Sequence, residues 1–171
     1  KEGAVVREKR HRVPYTAWAR DGFLNLTEGS ATDFDHVERM VIELSKRYRI
    51  QCLGFDRYGA AQVVTHLQDA GIDVVLFGQG FVSMNAPSKH LDVLVRSGSI
   101  QHGAHPVLTW MASNLMWEKD AADNWKPSKK KSREKIDGMT ALIMALGVAL
   151  AIPPSGPSIE DALLSGDGVS A

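Results

Sequence analysis

The run Ile50-Gln51-Cys52-Leu53-Gly54-Phe55-Asp56 and, eighteen residues further on, Val74-Val75-Leu76-Phe77 decide the fold. Both are short apolar stretches rich in branched and aromatic side chains, the pattern of buried strands. Between them, Tyr58 to Ala70 places Ala60, Val63, Val64 and Leu67 at helical spacing, and Gly71 supplies a stop. A further helix is expected to open at Pro87, carry Leu91, Leu94 and Val95, and end at Gly98. Strand–helix–strand–helix order over residues 50–97 calls for a parallel crossover, because parallel strands cannot be joined by a tight turn. The expected class is therefore α/β, a sheet flanked by helices, with two to four strands in all.

The flanking segments are read in the same way. Pro14 to Arg20 suits a short helix closed by Gly22, and Phe23-Leu24-Asn25-Leu26-Thr27 alternates as a half-buried strand would. Thr32 with Asp35 resembles a capping box, before a helix whose inward face would be Val37, Val41, Leu44 and Tyr48. Pro106 to Trp117 reads as helix and residues 119–132 as a polar loop broken by Asn124 and Pro127. Lys135 to Ile152 is the most apolar segment and is expected to be a buried helix, ended by Pro153-Pro154. Residues 1–152 are thus one domain, and residues 153–171, small and polar, a flexible tail.

With 171 residues the chain can bury a core without disulfides. Lys plus Arg number 20 and Asp plus Glu also 20, so any surface for an anionic partner must be local. The single cysteine, Cys52, lies in the apolar strand pattern and reads as a buried thiol of a reducing compartment. No stretch is long and apolar enough to span a bilayer, and the charged start, Lys1 to Arg12, carries no secretory signal. The absence of an initial methionine predicts a piece of a longer protein.

Two acids stand out. Asp56 ends a strand, where α/β sheets gather function, although it could equally cap the helix that follows. Asp137 heads the most apolar helix, where the helix dipole alone would favour it, yet an acid beside such a face also wants a partner. Two carboxylates aimed at one cleft can hold divalent metal. Leading into Asp137 is a basic run, Lys126, Lys129, Lys130, Lys131, Arg133 and Lys135, which is either a solvated loop or a phosphate-binding one. His102 and His105 fall in a loop with spacing poor for metal, and His105 is a better cap before Pro106. Of the tryptophans, Trp18, Trp110 and Trp117 suit a core or helix face, and Trp125 an exposed contact. No P-loop occurs, and Gly78-Gln79-Gly80 is too short for a dinucleotide site, so ATP and NAD are not expected as ligands.

In order and spacing, several segments together resemble the C-terminal nuclease domain of the large terminase subunit of tailed phages, in its HK97-like branch. They are Pro14-Tyr15 with Trp18-Ala19-Arg20-Asp21-Gly22-Phe23-Leu24, Thr27-Glu28-Gly29, Phe55-Asp56 with Tyr58, Gln79-Gly80-Phe81, His102-Gly103 with His105-Pro106-Val107-Leu108, and Lys135-Ile136-Asp137-Gly138 with Ala141 to Gly147. The resemblance covers about Val13 to Leu150. It implies a ribonuclease-H-like mixed sheet flanked by helices, and an endonuclease that cuts concatemeric phage DNA during packaging by two-metal phosphodiester hydrolysis. It implies Mg²⁺ or Mn²⁺ as cofactor, two ions held by three acids, of which Asp56 matches the second and Asp137 the third. The first acid lies on an opening strand upstream that residues 1–12 do not match, so the opening strands are expected to be lacking. Arg57 stands where the family commonly has proline. Lys131, Arg133 and Lys135 are the candidate DNA-backbone contacts. The implied partners are double-stranded DNA, the portal protein and the small terminase subunit, in the cytoplasm of the bacterial host, with no membrane and no ATP on this segment. Two alternatives stay open: an inactive remnant that docks to the portal or another terminase subunit, and another ribonuclease-H-like nuclease such as a junction resolvase.

Overall fold

A computed structural model describes residues 2–29, 33–56 and 61–152. Seven helices and four strands follow one another in the order α1 (Glu2–His11), α2 (Tyr15–Arg20), α3 (Phe34–Arg47), β1 (Leu53–Asp56), α4 (Ala61–Asp69), β2 (Val74–Phe77), α5 (Phe81–Arg96), α6 (Pro106–Asn114), β3 (Trp117–Lys119), β4 (Trp125–Pro127) and α7 (Asp137–Ala151) among the described residues. The expected crossover is present. β1 and β2 pair in parallel through α4, in the register Leu53 with Val74 to Asp56 with Phe77. Gly71, at φ +78°, ends the helical run before β2, a backbone conformation that costs glycine little.

Two apolar clusters hold the sheet between helices. Val63 and Leu67 of α4 bury with Ile72, and Val41, Ile42, Leu53, Phe55 and Val74 pack around them. Met84 and Leu91 of α5 bury with Met139, Ile143 and Met144 of α7, joined by Phe77, Leu108 and Leu115. α7 lies close over the sheet because two glycines allow it. A Cβ on Gly54 would come 2.8 Å from Val148 Cγ2, and one on Gly147 would come 2.5 Å from Phe77 Cζ.

Several expectations are corrected. The predicted polar loop contains β4, which pairs antiparallel with β3 in a hairpin of register Trp117 with Pro127 and Lys119 with Trp125. The turn between them is closed by Asp120, whose carboxylate accepts from the Ala122 and Asn124 amides and the Asn124 side chain at 2.8–2.9 Å. Consequently α6 stops at Asn114 and Trp117 is on a strand. α5 begins at Phe81, after Gly80, and Pro87 lies inside it, buried toward α7, instead of opening the helix. Residues 24–27 form no strand. On α3, Val41 of the expected inward face joins a cluster, with Ile42 beside it, while Val37, Leu44 and Tyr48 are 36–59 % exposed. The N-cap of α3 is Asp33, which accepts from the His36 amide at 2.9 Å, and Thr32 lies outside the described residues. Cys52 is half-buried and precedes β1. Trp125 is half-buried too, its ring 6.0 Å from that of Trp117. Ala60, Arg57, Tyr58 and the tail 153–171 also fall outside the described residues.

Candidate active site

Asp56 is the last residue of β1 and is half-buried. Strand side chains alternate, so Asp56 shares the sheet face of Gly54, the face that α7 covers. At the neighbouring end of β2, Gln79 reaches across: its Nε2 donates to Asp56 Oδ2 at 2.7 Å and lies 3.9 Å from Met144 Sδ. Asp56 is thereby tied to the middle of α7. Moving along β1 from Gly54, which faces Val148, to Asp56, coupled to Met144, is moving toward the N-terminal end of α7.

Asp137 is the first residue of that helix, with no side-chain cap bond at the preceding Ile136. Met144 is seven positions on, roughly two turns, so Asp137 and Met144 stand on one helix face about 10.5 Å apart along the axis. Asp56 thus lies beside the middle of α7 and Asp137 at its first residue, and the cavity beside Asp137 is not lined by Asp56. Asp137 is 58 % exposed and is held by Lys129, whose Nζ is 3.1 Å from its Oδ1. That ion pair lies at the surface and beside an opening, a cavity of about 230 Å³ lined by Lys129, Ser132, Arg133, Glu134, Lys135, Ile136 and Asp137.

The candidate phosphate contacts divide. Arg133 and Lys135 line this cavity with Asp137, whereas Lys131 is exposed on the turn outside it. Lys126 is drawn away, 3.8 Å from Glu118 and over the Phe81 ring at 4.6 Å. The sequence names Gln79 within the Gln79-Gly80-Phe81 segment and Lys129 within the basic run but pairs neither with an acid. Gln79 had no titratable signal, and the reach of Lys129 to Asp137 depends on a turn that no periodicity marks. His105 occupies the N-cap of α6 without a side-chain cap bond, its ring instead set edge-on to Phe23 at 5.3 Å. Neither it nor His102 joins a metal cluster, since no group of three or more His, Cys, Asp or Glu side chains comes together among the described residues.

Two acids of the site bear on divalent-cation binding, and no group of three or more His, Cys, Asp or Glu side chains surrounds either of them among the described residues. Both acids offer carboxylate oxygens, the ligands such ions take. Each already has a partner, the Gln79 amide on one and the Lys129 ammonium on the other.

Sequence and fold are both similar to those of known proteins. The sequence matches the family described as "Terminase large subunit, endonuclease domain" over residues 1–152. It is 37 % identical over 145 residues to the terminase large subunit of Enterobacteria phage HK97, covering 84 % of this chain and 29 % of that protein. It is 28 % identical over 145 residues to protein YmfN of Escherichia coli (strain K12), covering 84 % of this chain and 32 % of YmfN. The fold superposes on the crystal structure of the HK97 bacteriophage large terminase with a TM-score of 0.81 at 35 % identity, covering 86 % of this chain and 31 % of that one. The chain thus spans about a third of the length of the relatives it matches. Among the described residues, no helix is long and apolar enough to cross a membrane. With its α/β fold, ribonuclease-H-like in arrangement, and its matched sequence, the chain belongs to the terminase large subunit endonuclease-domain family.

Proposed function

We propose that this domain is a divalent-cation-dependent endonuclease that cuts concatemeric double-stranded phage DNA during genome packaging. The observation that supports the reading is the match to the terminase endonuclease-domain family, together with the basic residues Lys129, Arg133 and Lys135 around Asp137. Asp56 and Asp137 would hold Mg²⁺ or Mn²⁺ through their carboxylate oxygens. When bound, the metal would supply a Lewis acid for the phosphoryl group and a more acidic water.

The chain's own residues do the rest. Gln79 fixes the rotamer of Asp56 by donating to one of its oxygens. Arg133 and Lys135, at the cavity beside Asp137, and Lys131, on the outer turn, would take backbone phosphates. Phosphate contacts position a duplex without reading its bases, so cutting by this domain should show little sequence preference. The partners proposed with this function are the portal protein and the small terminase subunit, in the host cytoplasm.

Asp56→Asn and Asp137→Asn test the reading by plasmid nicking in Mn²⁺. Each is expected to abolish nicking while leaving the circular-dichroism spectrum unchanged. If either variant cut at the wild-type rate, the assignment of that acid would be wrong.

A further inference from the structure

Two basic segments far apart in sequence meet at the cavity beside Asp137. The first lies between the hairpin and α7. Ser128 is only 3 % exposed, and its amide donates to the Met116 carbonyl at 2.8 Å. Its hydroxyl donates to Glu118 Oε2 at 3.1 Å, and its carbonyl accepts from the Ser132 amide at 3.0 Å. Ser132 Oγ in turn accepts from the Met116 amide at 3.2 Å. The turn is thus clamped to the hairpin at both ends. Beyond it Arg133 and Lys135 line the cavity and make no ion pair among the described residues, whereas Lys129 is engaged by Asp137. The second segment is α1. Glu134 of the cavity lining lies 3.2 Å from Nδ1 of His11, the last residue of that helix. Residues 7–12 hold four Lys or Arg and one acid, Glu8, which is engaged with α2: it accepts from the Thr16 amide at 2.9 Å and from the Thr16 hydroxyl. Arg7 and Arg10 share the helix face of His11, at the i, i+3, i+4 spacing. The Tyr15 phenol is pushed up by burial and by Glu134 and drawn down by Arg7, so Arg7 and Glu134 both stand near Tyr15. Arg7 and Arg10 are exposed and make no ion pair among the described residues. The helix dipole favours a cation in a last turn, which accounts for Arg10 but not for Arg7.

We propose that α1 carries the phosphate-binding surface beyond the cavity: Arg7 and Arg10 take backbone phosphates of the same duplex whose neighbouring phosphates meet Arg133 and Lys135. This rests on the function proposed above, since the partner is the same DNA. The contacts are direct, cation to phosphate, and need no metal. A guanidinium suits the task because its planar fork can donate two parallel hydrogen bonds to phosphate oxygens. Arg7 and Arg10 are three positions apart, about 4.5 Å along the helix axis, against about 3.4 Å per phosphate along one strand of a duplex, so their long side chains can reach successive phosphates. His11 and Glu8 supply the positioning. One ties the end of α1 to the cavity rim and the other ties the helix to α2, so the two arginines face DNA from a seated element.

The test measures binding of the complete chain to a short labelled DNA duplex by fluorescence anisotropy, in EDTA so that nothing is cut, across a salt series. The double variant Arg7→Gln with Arg10→Gln should lose up to about 1.8 from the slope of log affinity against log salt, two contacts at about 0.9 each. Arg7→Lys with Arg10→Lys keeps both charges and should keep the slope. Arg39→Gln with Arg47→Gln removes two exposed charges from α3, which packs on α4, and should also keep it. An unchanged slope in the α1 glutamine variant would overturn the proposal. So would an equal loss in the lysine variant, which would mark a structural effect, or in the α3 variant, which would mark diffuse attraction. Arg133→Gln with Lys135→Gln separates the two levels. If the wild type binds no duplex even at low salt, the function proposed above fails as well; if this pair loses slope while the α1 glutamine variant does not, only the role of α1 falls.

Discussion

Replacing Gly147 with alanine sets two known effects against each other on the helix that carries Asp137. Gly147 lies within α7, and alanine at a helix interior is favoured over glycine by about 1 kcal/mol. The new methyl, however, would sit 2.5 and 2.7 Å from two carbons of the Phe77 ring and 3.3 Å from Pro87 Cγ. Phe77 ends β2 and Pro87 is buried within α5, so the methyl is caught between two layers and α7 must lift from both. Overpacking of this kind costs about 1–3 kcal/mol, and contacts this short belong at the upper end. Subtracting the propensity gain leaves a net loss of about 2 kcal/mol, and at about 2–4 °C per kcal/mol for a chain of this size the melting temperature should fall by about 4–8 °C. Thermal unfolding followed by circular dichroism measures it. Ala149→Gly, at an exposed position of the same helix, calibrates the propensity term and should cost about 2–4 °C. If Gly147→Ala melted at or above the wild-type temperature, the close seating of α7 on the sheet would be refuted.

Two further outcomes are expected. Joint substitution of Lys131, Arg133 and Lys135 by alanine should weaken DNA binding across sequences alike and reduce the salt slope by up to about 2.7; binding that stayed unchanged in a fluorescence-anisotropy salt series would remove these residues from the interface. The Asp120 carboxyl is held below the ordinary aspartate value, chiefly by the Asn124 side-chain and backbone hydrogen bonds and also by that of Ala122. A depressed folded value means that its contribution is present above the unfolded value of about 3.9 and is lost as pH falls through the folded one; the hairpin amides should therefore exchange faster with solvent in that acid range, and Asp120→Asn should remove the pH dependence.

How far the sequence could be read follows from how local each signal was. The β1–α4–β2 unit was legible because two apolar runs, a helical spacing and Gly71 all spoke within 28 residues. The ends of β1 and α7 where Asp56 and Asp137 sit were legible because both elements carry strong apolar patterns. The hairpin was not, because its strands are three residues each: Trp117 read as the end of a helix, and Trp125–Pro127 is polar enough to pass for loop. Pro87 misled because proline commonly opens a helix; here α5 starts six residues earlier and the ring fills the gap over Gly147. The exposed apolar side of α3 and the meeting of Gln79 with Asp56 and of Lys129 with Asp137 depend on tertiary placement alone. No spacing rule encodes them.

The clamping of residues 128–132 to the hairpin also bears on how this surface meets a polyanion. A run of loose cationic side chains gives up much backbone freedom when it is recruited, and affinity suffers by that amount. Here the serine hydrogen bonds have fixed the main chain already, so what remains to be ordered is little more than the side-chain stems. Encounter with a duplex should therefore be rapid, strongly dependent on ionic strength and accompanied by little rearrangement of the protein.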